Sequence, residues 1–197
     1  MDTAASKKSI ITIAGQPGSG KSTTAKGVAK ILEFEHFSSG DLFRALAKER
    51  GLDLMQANLS AEQNTEMDNL VDGRLQEMGL HEDRKVIDSR MAWHWMPQSF
   101  KVYLDLDMRI AAQRILDGMD EQRLKSEHVH RDPEEYAEIL KERHASEVRR
   151  YRSLYDLDPF EHRNYDLVVD TGAFSIDEVI ARVVLEFRKW LDQSAAS

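Results

Sequence analysis

Eight residues near the start of the chain, Gly15-Gln16-Pro17-Gly18-Ser19-Gly20-Lys21-Ser22, match the phosphate-binding pattern G-x-x-x-x-G-K-[ST] at every fixed position. Glycines at these places let the backbone turn so that successive N–H groups point inward at phosphate oxygens. Lys21 then has the reach and the charge to meet the β- and γ-phosphates of a nucleoside triphosphate, and the Ser22 hydroxyl is suited to ligand Mg²⁺. Asp88 ends a short apolar run, Val86-Ile87, and is the preferred acid for holding the metal. Its alternative role is a structural carboxylate bonded to backbone N–H groups.

These groups work only if the chain around them positions them. Ile10-Ile11-Thr12-Ile13-Ala14 is a β-branched run suited to a buried parallel strand. Thr23 to Leu32 reads as a helix, with Val28, Ile31 and Leu32 on one face. Strand, glycine loop and helix follow in the order that phosphate binding needs, and Thr23 completes the ATP-binding set beside the helix N-terminus. Further strands are expected at Glu35–Ser38, Arg84–Arg90, Lys101–Asp105 and Tyr165–Thr171. Helices are expected at Ser39–Ala47, stopped by Gly51, and at Met108–Leu116. Ser60-Ala61-Glu62-Gln63 has the form of a capping box opening a strongly polar helix to about Met78, which should sit out from the core. Asp132-Pro133-Glu134-Glu135 opens a helix running to about Tyr155, and Ser175 caps a last helix with Val179, Ile180, Val183, Val184 and Phe187 on its apolar face. Strands alternating with helices imply a three-layer α/β/α sandwich with a central parallel sheet.

Composition narrows the partners. A chain of 197 residues suits one domain, and 31% charged with 41% hydrophobic residues is the balance of a soluble globular protein. A formal charge of −8 argues against a nucleic-acid polymer or an anionic membrane as partner, so an anionic small substrate requires a local arginine cluster. No segment approaches a membrane span, and the apolar run after Lys7-Lys8 is too short for a signal peptide. Without cysteine there is no disulfide framework, so a cytoplasmic location is the default. A monomer is expected. His128 and His130 lack the neighbours of a metal site. Trp93 and Trp95 suit packing or the wall of an acceptor pocket.

The order of four stretches resembles the nucleoside monophosphate kinases, and within them the cytidylate kinases of the compact archaeal type. They are the loop GQPGSGKS; Ser39-Gly40-Asp41-Leu42-Phe43-Arg44; Ile87-Asp88-Ser89-Arg90-Met91-Ala92; and Glu142-Arg143 with Glu147-Val148-Arg149-Arg150-Tyr151 and Tyr165–Thr171. The resemblance implies an acceptor-binding insert over about 39–80 and a lid over about 117–152. It implies that Ser39, Arg44 and Arg90 grip the acceptor phosphate, while Arg143, Arg149 and Arg150 close over the ATP phosphates. Ion pairing is the alternative for each arginine; Glu147 lies four residues from Arg143 and three from Arg150. Met91 stands where some bacterial members carry an Asp, so the base-reading acid is sought instead in Asp68 and Asp72, for which solvent-facing helix charge is the equal alternative. The implied reaction is transfer of the ATP γ-phosphoryl group to CMP or dCMP with Mg²⁺. The competing readings are a kinase for UMP, AMP or a shikimate-like acceptor, and a nonenzymatic nucleotide-binding module. A guanine-reading N-K-x-D motif, which a regulatory nucleotide switch would carry, does not occur.

Overall fold

Ile10, Ile11 and Ile13 are wholly buried, as a strand hydrogen-bonded on both edges and covered on both faces must be. The computed structural model, which describes residues 9–52, 65–119 and 131–195, places them in β1 (Ile10–Gly15) at the centre of a five-stranded sheet. The others are β2 (Glu35–Ser38), β3 (Lys85–Asp88), β4 (Phe100–Asp105) and β5 (Leu167–Asp170), in the order β2-β3-β1-β4-β5. Every pairing is parallel. Ser38, Asp88 and Ile13 share one register row. The glycine loop, Ser39 and Arg90 therefore leave the sheet along one edge, the carboxyl ends of the strands, where open parallel sheets hold ligands.

Helices cover both faces, so the expected sandwich is what forms. On one face, α1 (Lys21–Leu32) and α7 (Ile176–Ala195) pack Val28, Ala29, Val183 and Phe187 against Ile11, Ile13 and Val102. On the other, α3 (Glu66–His81) and α4 (Ala92–Trp95) bring Leu75, Met78 and Met96 onto Ile10 and Ile87. α2 (Ser39–Glu49) packs on α3 through Ala47 and Met67. α5 (Met108–Asp117) meets α6 (Pro133–Tyr155) through Ala111, Ala112, Ala137 and Leu140.

The polar helix is the main correction to the sequence reading, because α3 is not held away from the core. Four of its apolar residues, Met67, Val71, Leu75 and Met78, form one stripe at spacings of four, four and three, and Leu75 and Met78 are fully enclosed, while Leu70 and Leu80 stay exposed. Total polarity hid a narrow but continuous face. The capping box Ser60–Gln63 and the pair His128 and His130 lie outside the described residues. α1 begins at Lys21 rather than Thr23, so the two phosphate-loop side chains with chemistry form its first turn. The caps read from sequence are present: Asp132 Oδ1 accepts from Glu134 N at 2.8 Å, and Glu178 Oε2 accepts from Ser175 N at 2.8 Å.

Candidate active site

The loop between β1 and α1 depends on glycine by geometry. Gly15 has φ of 147°, and a Cβ there would lie 2.4 Å from the Leu104 carbonyl oxygen. Gly20 caps α1 in the left-handed conformation and, having no side chain, makes no side-chain cap hydrogen bond to the helix N-terminus. Ser19 closes the turn by donating Oγ–H to the Gln16 carbonyl at 2.7 Å. The first N–H groups of α1 thus stand at a ready anion site.

Lys21 Nζ donates to the Gln16 carbonyl at 3.4 Å. Burial is the largest influence on its ammonium and lowers the pKa to about 8, with Arg90 pushing the same way and Asp88 and Glu147 opposing. Ser22 Oγ donates to Asp88 Oδ2 at 2.5 Å, although 66 positions separate them in the chain. A hydroxyl and a buried carboxylate side by side beyond the phosphate loop are hard oxygen donors of the kind Mg²⁺ takes, with water and phosphate oxygens completing its shell. The Asp88 backbone carbonyl also accepts from Ser39 Oγ, at 3.3 Å.

From this point a cavity of about 240 Å³ opens toward α3 and α6. Lys21, Ser22 and Asp88 line its loop end; Ser39, Arg44 and Arg90 line the strand ends; Asp68, Arg143, Glu147 and Arg150 line the helical side. Arg90 Nε lies 2.9 Å from Glu147 Oε2, an ion-pair distance, but its N–H does not align on the oxygen and makes no hydrogen bond. Arg143 Nε donates to Glu147 Oε1 at 3.3 Å. Arg150 Nη1 lies 3.9 Å from Asp68 Oδ2, and its guanidinium sits 5.1 Å over the Tyr151 ring. Arg44 pairs with Asp41 at the cavity mouth.

Two residues expected at the site stand elsewhere. Arg149 is exposed and does not line the cavity, because the next position on a helix turns away by about 100°. Asp72 is buried beside the cavity and accepts from the Tyr155 hydroxyl. Burial raises the pKa of both Asp68 and Asp72; Arg150 opposes this at Asp68, and the Tyr155 hydrogen bond opposes it at Asp72. Asp68 differs in having its Oδ2 buried without a hydrogen-bond donor among the described residues. Trp95 packs in the α3 cluster and Trp93 lies 5.7 Å from the Tyr165 ring, so packing is their role and neither lines the cavity. Glu147, Tyr151, Phe43 and Val71 also line the cavity and were not singled out as site residues from sequence. For Glu147 the signal was its helical spacing to Arg143.

A parallel sheet with a phosphate loop after its central strand, a lysine and serine at the helix start and an acid on the neighbouring strand define a P-loop phosphotransferase. Comparison with known proteins agrees. A family model described as an AAA domain matches residues 14–148. A cytidylate kinase of Natronomonas pharaonis is 38% identical over 177 residues, spanning 88% of this chain and 86% of that protein. One of Haloquadratum walsbyi is 36% identical over 173 residues, spanning 86% and 84%. The solved shikimate kinase of Aquifex aeolicus shares the fold with a TM-score of 0.54 at 18% identity, over 91% of this chain and 96% of that one. The chain belongs to the cytidylate kinase family. Among the described residues, no helix is long and apolar enough to cross a membrane.

Proposed function

We propose that the protein transfers the γ-phosphoryl group of ATP to the 5′-phosphate of CMP or dCMP, giving ADP and CDP or dCDP. The observation that carries this reading is one cavity lined both by the cations Lys21 and Arg90 and by the Asp68 carboxylate, whose Oδ2 has no hydrogen-bond donor among the described residues. Cytosine presents an exocyclic amine where uracil presents a carbonyl, so an unsatisfied acceptor at the base end selects cytosine.

In this reading Gly15 to Thr23 hold the ATP phosphates, and Ser22 and Asp88 would hold Mg²⁺. The ion, when bound, neutralises charge on the phosphate oxygens and orients them. Ser39, Arg44 and Arg90 hold the acceptor phosphate. Its attacking oxygen is already anionic, so the protein supplies no general base; it supplies alignment for in-line attack, and cations toward which charge develops. Arg143 and Arg150 serve that second purpose from α6. Residues 39–80 then act as the acceptor-binding part and 117–152 as the lid. The enzyme would act as a cytoplasmic monomer, where ATP is abundant.

The deciding experiment is ADP release measured with CMP, dCMP, UMP, AMP, GMP and shikimate at equal concentration. CMP and dCMP should be turned over far faster than the rest. A purine or shikimate preference would assign another acceptor, and ATP turnover that no acceptor raises would leave a nucleotide-binding module.

A further inference from the structure

Glu147 is an anion standing where the proposed reaction needs the anions of its substrates. Its side chain is only 12% exposed, and it lines the cavity with Lys21 and Arg90. Its two oxygens face two arginines from different parts of the fold: Arg90, from the turn after β3, and Arg143, one turn earlier on α6. Burial would raise the Glu147 carboxyl, but Arg90, Arg143 and Arg150 outweigh it and hold the group below the usual carboxylate range. It is therefore a full counter-ion at neutral pH.

A carboxylate fixed in a phosphate site repels phosphate unless it gives way. The hydrogen bonding shows which role fits. Arg90 Nε and Arg150 Nε are both buried without an aligned acceptor among the described residues. Glu147 thus balances the charge of the arginine cluster while leaving the Nε donors of Arg90 and Arg150 unsatisfied. A phosphate group, with three terminal oxygens spread tetrahedrally, would do both. An ion pair that lacks an aligned hydrogen bond is also the easier one to exchange.

We infer that Glu147 is a built-in stand-in for the acceptor phosphate: it bridges Arg90 and Arg143 while the site is empty and yields Arg90 when substrate phosphate enters. The inference rests on the reading of Arg90 as a partner of the acceptor phosphate. It has two consequences. Affinity for the phosphate is set by competition with an internal anion, and α6 is held against the end of β3 before any substrate arrives.

Glu147→Gln keeps the shape and removes the charge. Titration calorimetry of the full chain, saturated with ADP, reads the binding of inorganic phosphate and, separately, of CMP and of cytidine. In the variant both phosphate and CMP should bind about tenfold more tightly, while cytidine, which lacks the phosphate, binds as before. Unchanged or weaker phosphate binding overturns the inference, because Glu147 would then be ordering the arginines for phosphate. Tighter phosphate binding with no CMP binding by either protein supports the stand-in role and removes the CMP reading. Should Glu147→Gln fail to fold, Glu147→Asp draws the carboxylate back by one methylene and keeps its charge. Phosphate should then bind more tightly by a smaller factor, and equal or weaker binding overturns the inference.

Discussion

Asp68 and Asp72 lie four apart on one helix and look equivalent in the sequence, yet they face different tasks. Asp72 is engaged by the Tyr155 hydroxyl, whereas Asp68 lines the cavity and its buried Oδ2 has no hydrogen-bond donor among the described residues, with Arg150 Nη1 3.9 Å away. Asp68→Asn offers either an acceptor or a donor at that place, so the preference for CMP over UMP should fall by about tenfold or more in kcat/KM, with little change in Tm. A variant that kept its preference would place base reading elsewhere. Lys21 carries a prediction of a different kind. Its folded pKa of about 8 lies below the ordinary 10.5, so burial of the charged form opposes folding in full below pH 8, and that penalty is relieved as pH rises from 8 toward 10.5. Lys21→Met has no such charge. Its Tm should equal or exceed that of the wild type at pH 7, and the difference should shrink across that window, while kcat falls by about a hundredfold to a thousandfold. ATP binding to the wild type should weaken above pH 8 as the ammonium is lost, which equilibrium titration at pH 7 and 9 would measure. The lysine was legible as a phosphate ligand from its motif. Its depressed pKa was not, because it depends on burial in the fold and on Arg90, Asp88, Glu147 and Arg143, all remote from the loop in the chain.

At the scale of elements, α6 ties the site together. Near its middle Glu147 meets both Arg143 and Arg90, Arg150 approaches Asp68, and Tyr155 at its last turn reaches Asp72 on α3. The start of the helix could be read from sequence, since Asp132 and Pro133 open it, and its expected end at about Tyr155 is where it stops. What it packs against could not be read, and neither could the burial of α3, where Leu75 and Met78 are enclosed within a segment rich in polar residues. Tyr155→Phe removes the donor and costs the buried Asp72 carboxylate its Tyr155 hydrogen bond. The variant should lose about 1–3 kcal/mol in urea unfolding and raise KM for CMP through a loosened contact between α3 and α6, with KM for ATP unchanged. Equal stability of variant and wild type would mean that the contact between the helices does not hold them.

Across the whole molecule, the sheet must be clamped from both faces for its strand ends to line up as one edge. On the α1 and α7 side the fit is close: a Cβ added to Gly27 would lie 2.3 Å from Ile180 Cδ1. Gly27→Ala should therefore cost about 1–3 kcal/mol through overpacking, lowering Tm by several degrees without changing either KM, as thermal unfolding and steady-state kinetics would record. A variant of unchanged Tm would show that Ile180 has room to move. The sequence by itself determined what is local: the phosphate loop and its flanking strand and helix, the alternation that demands a parallel sheet, and the caps at Asp132 and Ser175. Each of these is decided by residues within a few positions of one another, through dihedral preference, hydrogen bonding to the next turn, or the period of apolar side chains. The tertiary structure alone decided the strand order β2-β3-β1-β4-β5, the turning of Arg149 away from the cavity and the separate employment of Asp68 and Asp72. It also brought Ser22 onto Asp88 across 66 residues and Tyr155 onto Asp72 across 83. Alternation of strands and helices is compatible with many strand orders, and contacts at such separations depend on how whole elements pack, which spacing along the chain does not encode.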